Sequence, residues 1–114
     1  MVIKVESLLD AQVAEVWDAI TIAGKMRMWY FPQIPAFEPA VGFATRFTIE
    51  NDGRKFTHLW EVTKVDPPRE IHYKWSYAEY PGMGSVSFRL TPQGDKTQLT
   101  LISRGLETFP RGIP

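Results

Sequence analysis

The chain has 114 residues, with 13 basic and 13 acidic side chains, so its net charge is zero. That balance excludes a strong electrostatic pull toward nucleic acid or an anionic membrane. A hydrophobic fraction of 44% and no cysteine at all describe one folded domain over residues 1–114, without disulfides, thiolate zinc sites or cysteine nucleophiles.

The opening stretch MVIKVESLLD lacks the apolar core and small-residue cleavage site of a signal peptide. No apolar run is long enough to span a bilayer, so a cytoplasmic protein without stable membrane association is expected. Residues 2–9 mix β-branched side chains with Lys4 and Glu6 and predict a first strand. Asp10 is placed to cap a following helix, because its carboxylate can accept from the free N–H groups of the first turn. Val13, Val16, Trp17 and Ile20 then share one helical face. Thr21 is expected to cap a second short helix carrying Met26, Trp29 and Tyr30, which Pro32 and Pro35 end.

From about residue 43 the apolar period changes to two. FATRFTIE, KFTHLWEVTKV, EIHYKWSY, SVSFRLT and KTQLTLISR read as strands. NDGR, DPPR, the glycine-rich AEYPGMG and PQGD separate them. A two-residue turn at Asp52-Gly53 sets Glu50 against Lys55, Ile49 against Phe56, Phe47 against His58 and Thr45 against Trp60. A three-residue turn with a glycine bulge would mismatch the two faces. For the next hairpin, a loop over Asp66–Arg69 sets Val65 against Glu70. Glu61 then meets Lys74, Val62 meets Tyr73, Trp60 meets Trp75 and His58 meets Tyr77. Both registers place the same residues of the shared strand on one side, with opposite charges outside and aromatics inside. The last hairpin pairs Leu90 with Leu99 and Phe88 with Leu101, leaving Ile102 outside.

The inner face therefore gathers Phe47, His58, Trp60, Tyr73, Trp75, Tyr77 and Phe88. Buried tyrosine and tryptophan need partners for their polar ends, and two solutions exist. The face is either a packed core, satisfied by water and cross-sheet bonds, or the wall of a cavity whose ligand supplies some partners. His58 points inward and His72, beside Thr63, points to solvent. No Ser, Cys or carboxylate falls beside His58 in these registers, so it reads as a satisfied core histidine and no catalytic residue is assigned. Two histidines on opposite faces offer no metal site, and no phosphate-binding glycine loop follows a strand. Glu38, Glu79 and Glu107 read as solvated loop carboxylates.

Three stretches together resemble a known family. AEVWDAITIAGKMRMWY, with Val16, Trp17, Thr21 and Trp29, is similar to the helix–turn–helix opening of proteins homologous to the activator of heat-shock protein 90 ATPase. PAVGFATRFTIENDG and WEVTKVDPPREIHYKW resemble that family's glycine-containing strand start, and its Trp strand, double-proline turn and aromatic strand. The likeness covers essentially the whole chain. It departs at Asp10-Ala11-Gln12, where the family commonly has a proline, and at RGLETFPRGIP, where the family's long C-terminal helix should begin.

The resemblance implies an α+β helix-grip fold of the START-like superfamily: a curved antiparallel sheet with two short helices after the first strand. The long C-terminal helix is absent from this chain, which is expected to be a truncated or partly ordered version of a longer protein. The implied function is binding of a small hydrophobic or aromatic molecule on the concave face, without a cofactor. His58, Trp60, Tyr73, Trp75 and Tyr77 would orient the ligand, Phe47 and Phe88 would stack on it, and Phe37, Tyr80 and Met83 would line the mouth. The resemblance also leaves open a polyketide cyclase or aromatase-like enzyme, using His58 or a tyrosine, and a co-chaperone module with a chaperone partner. If the helix is truly missing, a homodimer is the way to cover the open face.

Overall fold

A computed structural model describes residues 2–110. Strand β1 (Val2–Leu9) leads to helices α1 (Val13–Thr21) and α2 (Ala23–Trp29). Five strands follow: β2 (Ala44–Asn51), β3 (Arg54–Asp66), β4 (Glu70–Tyr77), β5 (Tyr80–Gln93) and β6 (Lys96–Arg104), then a 3₁₀ turn over Leu106–Thr108. The strands form one antiparallel curved sheet in the order β1-β6-β5-β4-β3-β2, so the helices carry the chain from one edge to the other. The fold is α+β as expected, and no long helix follows β6 among the described residues. No described helix is long and apolar enough to cross a membrane.

The helices begin and end differently from expectation. Gln12, not Asp10, occupies the cap position of α1, and its side chain makes no capping bond. Thr21 closes α1 instead of opening α2: its hydroxyl donates to the Trp17 carbonyl at 2.7 Å. The junction falls to Ile22, whose N–H caps α1 on the Asp18 carbonyl and whose own carbonyl starts α2. Val16, Trp17 and Ile20 form the buried face of α1, with Met26 of α2 beside them. The Trp29 indole donates to the Ala19 carbonyl at 2.7 Å and locks the two helices together.

The β2–β3 register is as expected at every pair from Asn51–Arg54 to Thr45–Trp60. Asp52 and Gly53 have φ of 53° and 75°, the two left-handed residues that a primed hairpin turn requires. Between β3 and β4 the pairs His58–Tyr77, Trp60–Trp75, Glu61–Lys74 and Val62–Tyr73 also form. Beyond them a bulge at Thr63 shifts the strand by one residue, so Val65 faces Ile71 rather than Glu70, and His72 faces Lys64. The bulge absorbs one residue and keeps half-buried Val65 with the core, leaving a three-residue loop at Pro67-Pro68-Arg69. The expected loop AEYPGMG is mostly strand: Tyr77 pairs with Tyr80, only Ala78 and Glu79 turn, and β5 runs on from there. Leu90–Leu99 and Phe88–Leu101 pair as expected, and Ile102 lies outside between Lys4 and Ser87.

Glu70 organises the outer face of the middle strands. Its carboxylate accepts from Lys64 at 2.9 Å, His72 at 2.9 Å and Arg89 at 3.0 Å. The Lys64 bond, then those of His72 and Arg89, outweigh partial desolvation and hold its carboxyl down at about 2. A depressed carboxyl stabilises the fold above its unfolded value of 4.5, and that contribution is lost as pH falls through about 2. Glu70→Gln is therefore expected to cost about 1 kcal/mol near neutrality, kept small by the exposed Lys64 and Arg89. Urea unfolding at stepped pH should show the difference from wild type vanishing toward about pH 2.

Candidate ligand-binding site

The concave face is filled in its middle by two rings from the segment after α2. Tyr30 stacks on Trp29 at 4.6 Å and on Phe31 at 4.8 Å, and reaches Trp60 at 5.3 Å. Phe31 lies 5.4 Å from Phe47 and 5.0 Å from His58. Each such ring pair contributes roughly 0.5–1.5 kcal/mol beyond burial, so the segment has strong reason to fold over the sheet. Arg27 fixes the return of the chain, donating from Nε to the Ile34 carbonyl at 2.7 Å and from its guanidinium to the Pro35 carbonyl at 2.9 Å.

Trp60 and Tyr73 are 2% and 1% exposed and lie under these rings. The Tyr73 and Tyr30 hydroxyls bond each other at 3.1 Å, and burial pushes both phenols above their ordinary pKa. The indole N–H of Trp60 is the one buried side-chain polar atom without a partner among the described residues. Phe47 and Phe88 are buried too, Phe88 against Tyr73 and Trp29. Phe37 is buried between Phe43 and Tyr73.

Besides a cleft of about 440 Å³ between α1, Leu9, Trp29 and Leu99, two clefts lie one on each side of half-buried Trp75. The first, of about 360 Å³, lies between Trp75, Tyr77, Val86, Leu106 and Phe109. Its outer wall is the 3₁₀ turn, anchored where the Thr108 hydroxyl and the Met83 backbone bond each other. Gly105 has φ of 78° and Met83 O lies against the place a Cβ would take, so only glycine fits that anchor. The second cleft, of about 420 Å³, is bounded by Phe31, Ile49, Phe56, His58 and Trp75, with Glu50 and Asn51 at its rim.

His58 gives the second cleft its polar character. The ring is 4% exposed, stacked on Phe47 at 4.8 Å, and edge-on to Tyr77 at 4.8 Å. Its Nδ1 lies 3.0 Å from the Phe56 carbonyl, which can only accept, so Nδ1 carries the proton and Nε2 is left as an acceptor. Burial lowers the pKa below 6.5, more than the Phe56 carbonyl and the charge of Glu79 raise it, so the ring is neutral at pH 7. Glu79 thus stands close enough to act on His58, which strand register alone did not bring beside it. It is also no free loop carboxylate: it accepts from the Thr57 backbone at 2.7 Å and from the Thr57 hydroxyl.

The expected site residues are therefore dispersed. His58 and Trp75 share the second cleft, and Trp75 and Tyr77 share the first. Trp60, Tyr73, Phe47, Phe88 and Phe37 line neither. Tyr80 stacks on Phe56 at 5.5 Å with Arg54 over its ring, and Met83 is 52% exposed. Tyr30, Phe31 and Phe109 complete the arrangement. The aromatic run WYF at residues 29–31 was the available signal for two of them. Among the described residues no group of three or more His, Asp or Glu side chains could hold a metal ion.

The profile of a family described as activator of Hsp90 ATPase homolog 1-like protein matches residues 10–113. The chain belongs to that family. Solved structures agree on the fold. A crystal structure of a Rhizobium loti protein superposes with a TM-score of 0.85 at 18% identity, over 100% of this chain and 83% of that one. A Chromobacterium violaceum protein gives 0.82 at 20% identity, over 99% and 83%. A Mesorhizobium loti protein gives 0.76 at 28% identity, over 93% and 77%. No curated protein matches in sequence.

Proposed function

We propose that this domain binds a small, flat, largely apolar molecule carrying one hydroxyl or N–H donor, held in the cleft between Phe31, Phe56, His58 and Trp75. The observation that carries the reading is His58 in the lining of a cleft walled by aromatic rings, with Nδ1 committed to the Phe56 carbonyl, which leaves Nε2 the acceptor. A volume of about 420 Å³ lies in the range of small-molecule pockets, and apolar walls with one placed polar group are how such pockets orient a ligand. An anionic head group is disfavoured, since it would meet an uncharged imidazole and the Glu50 carboxylate at the rim. The first cleft is lined by Tyr77, Ser85 and Ser103, whose hydroxyls donate as well as accept, whereas His58 Nε2 only accepts, so a ligand whose polar group is a donor is assigned to the second.

Catalysis is not part of this reading: no Ser, Thr or Lys nucleophile lines the cleft with His58, and its one carboxylate, Glu50, stands exposed at the rim. The test compares 2-naphthol with naphthalene by quenching of tryptophan fluorescence. One added hydrogen bond, roughly 1–1.5 kcal/mol, should make 2-naphthol bind about tenfold more tightly. Equal affinity for the two, or no binding of either at millimolar concentration, overturns the proposal.

A further inference from the structure

Strand β1 is an edge of the sheet, bonded to β6 on one side and to nothing on the other among the described residues. It runs eight residues without a bulge or proline, and its apolar side chains stand open on both faces. Val2 is 56% exposed, Ile3 43%, Val5 50% and Leu8 60%. Natural edge strands of this length are usually blunted, most often by charge. Here the Lys4 ammonium is paired with Glu6 of the same strand at 2.9 Å, so the charge that would deter pairing is already matched. The opposite edge, β2, differs: Phe47 is buried and Ile49 half-buried against the core.

We propose that β1 pairs antiparallel with β1 of a second copy of this chain, extending the sheet through a two-fold axis at Val5. Symmetry narrows the choice. A two-fold axis normal to the sheet keeps inner residues with inner residues, so the residue on the axis must face itself. With Lys4 on the axis, two ammonium groups meet; with Glu6 there, two carboxylates meet. With Val5 there, Lys4 of each copy faces Glu6 of the other, Val2 faces Leu8, Ile3 faces Ser7 and the two Val5 side chains meet. Only that register pairs every charge with its opposite and covers the exposed apolar residues of both faces. The pattern VIKVESL is self-complementary about its central valine.

The chain's lack of cysteine makes the register directly readable. Facing residues in an antiparallel pair have Cα atoms roughly 4.5–5.5 Å apart, within disulfide reach, whereas residues two positions from the axis stand more than about 10 Å from their own copies. Val5→Cys should give a covalent dimer under mild oxidation, and Ile3→Cys should not. Without oxidant, the unmodified chain should sediment at twice its 13.1 kDa mass as concentration rises. Lys4→Glu should weaken that dimer at least tenfold, and Lys4→Glu with Glu6→Lys should restore it. Circular dichroism of each variant separates lost pairing from lost folding. A monomer at all concentrations up to hundreds of micromolar overturns the proposal. So does a dimer unaffected by Lys4→Glu, or one that crosslinks through Thr48→Cys on the other edge and not through Val5→Cys.

Discussion

Trp60→Ala is expected to lower the unfolding free energy by roughly 3–5 kcal/mol, the cost of an indole-sized cavity in a packed core. Domains of this size are stable by about 5–15 kcal/mol, so the variant would stand near the edge of folding at room temperature. The magnitude follows from position: Trp60 is 2% exposed, with Tyr30, Phe47, Tyr73 and Trp75 each within 5.3 Å, centroid to centroid. Trp75→Ala removes a ring of the same size that stands half-exposed between two clefts, and should cost distinctly less. Denaturant unfolding followed by far-UV circular dichroism measures both. Equal losses would mean that Trp60 is not part of the core and that the middle of the concave face is open.

The second large effect concerns binding. Trp75→Ala and Phe31→Ala should each weaken 2-naphthol at least tenfold while the sheet remains folded, since each removes one wall of the cleft. His58→Phe keeps a ring in place but removes the acceptor, so it should erase the preference for 2-naphthol over naphthalene. It should also erase the pH dependence of binding. Nε2 accepts only while the ring is neutral, and burial sets its pKa below 6.5, so wild-type affinity should hold at pH 7 and fall as acid protonates the imidazole. Linkage gives stability the same sign. The unfolded chain takes up this proton near 6.5 and the folded one only at lower pH, so stability drops as pH falls through that window. Glu70 acts at more acid pH, from 4.5 down to about 2, and the two contributions are separable on one titration.

The sheet was legible because its signals are local and mutually checking. Asp52-Gly53 names its own turn, and strands of period two then carry Phe47 to His58 and Trp60 to Trp75 without further information. Two hairpins had to agree on the faces of β3, and they did. The Thr63 bulge left no such mark, since a bulge is chosen by what the strand must reach beyond it, here the packing of Val65. The helix junction failed for a related reason. Asp10 and Thr21 have the right chemistry for capping, but the course of the chain sets where α1 starts, and the Thr21 hydroxyl turned back to Trp17.

The site was harder to read than the sheet. Its decisive feature is the return of Tyr30 and Phe31 onto the sheet, from a segment more than forty positions away from Tyr73 in the chain. Strand register says which residues face inward and nothing about which loop covers them. Hence Trp60, Tyr73 and Phe47, equivalent to Trp75 and His58 by alternation, became core while the latter two kept access to a cleft. The fluorescence comparison reports affinity, and a location needs atomic contacts.

The most direct test is therefore an isotope-filtered NMR experiment on the complex with 2-naphthol. Intermolecular NOEs are expected from the naphthol ring to the Trp75 indole, the Phe31 ring and the His58 Hε1 proton, together with a pH-dependent shift of His58 that moves on binding. NOEs confined to Leu106 and Phe109, or to the exposed flank of β1, would contradict the proposed site.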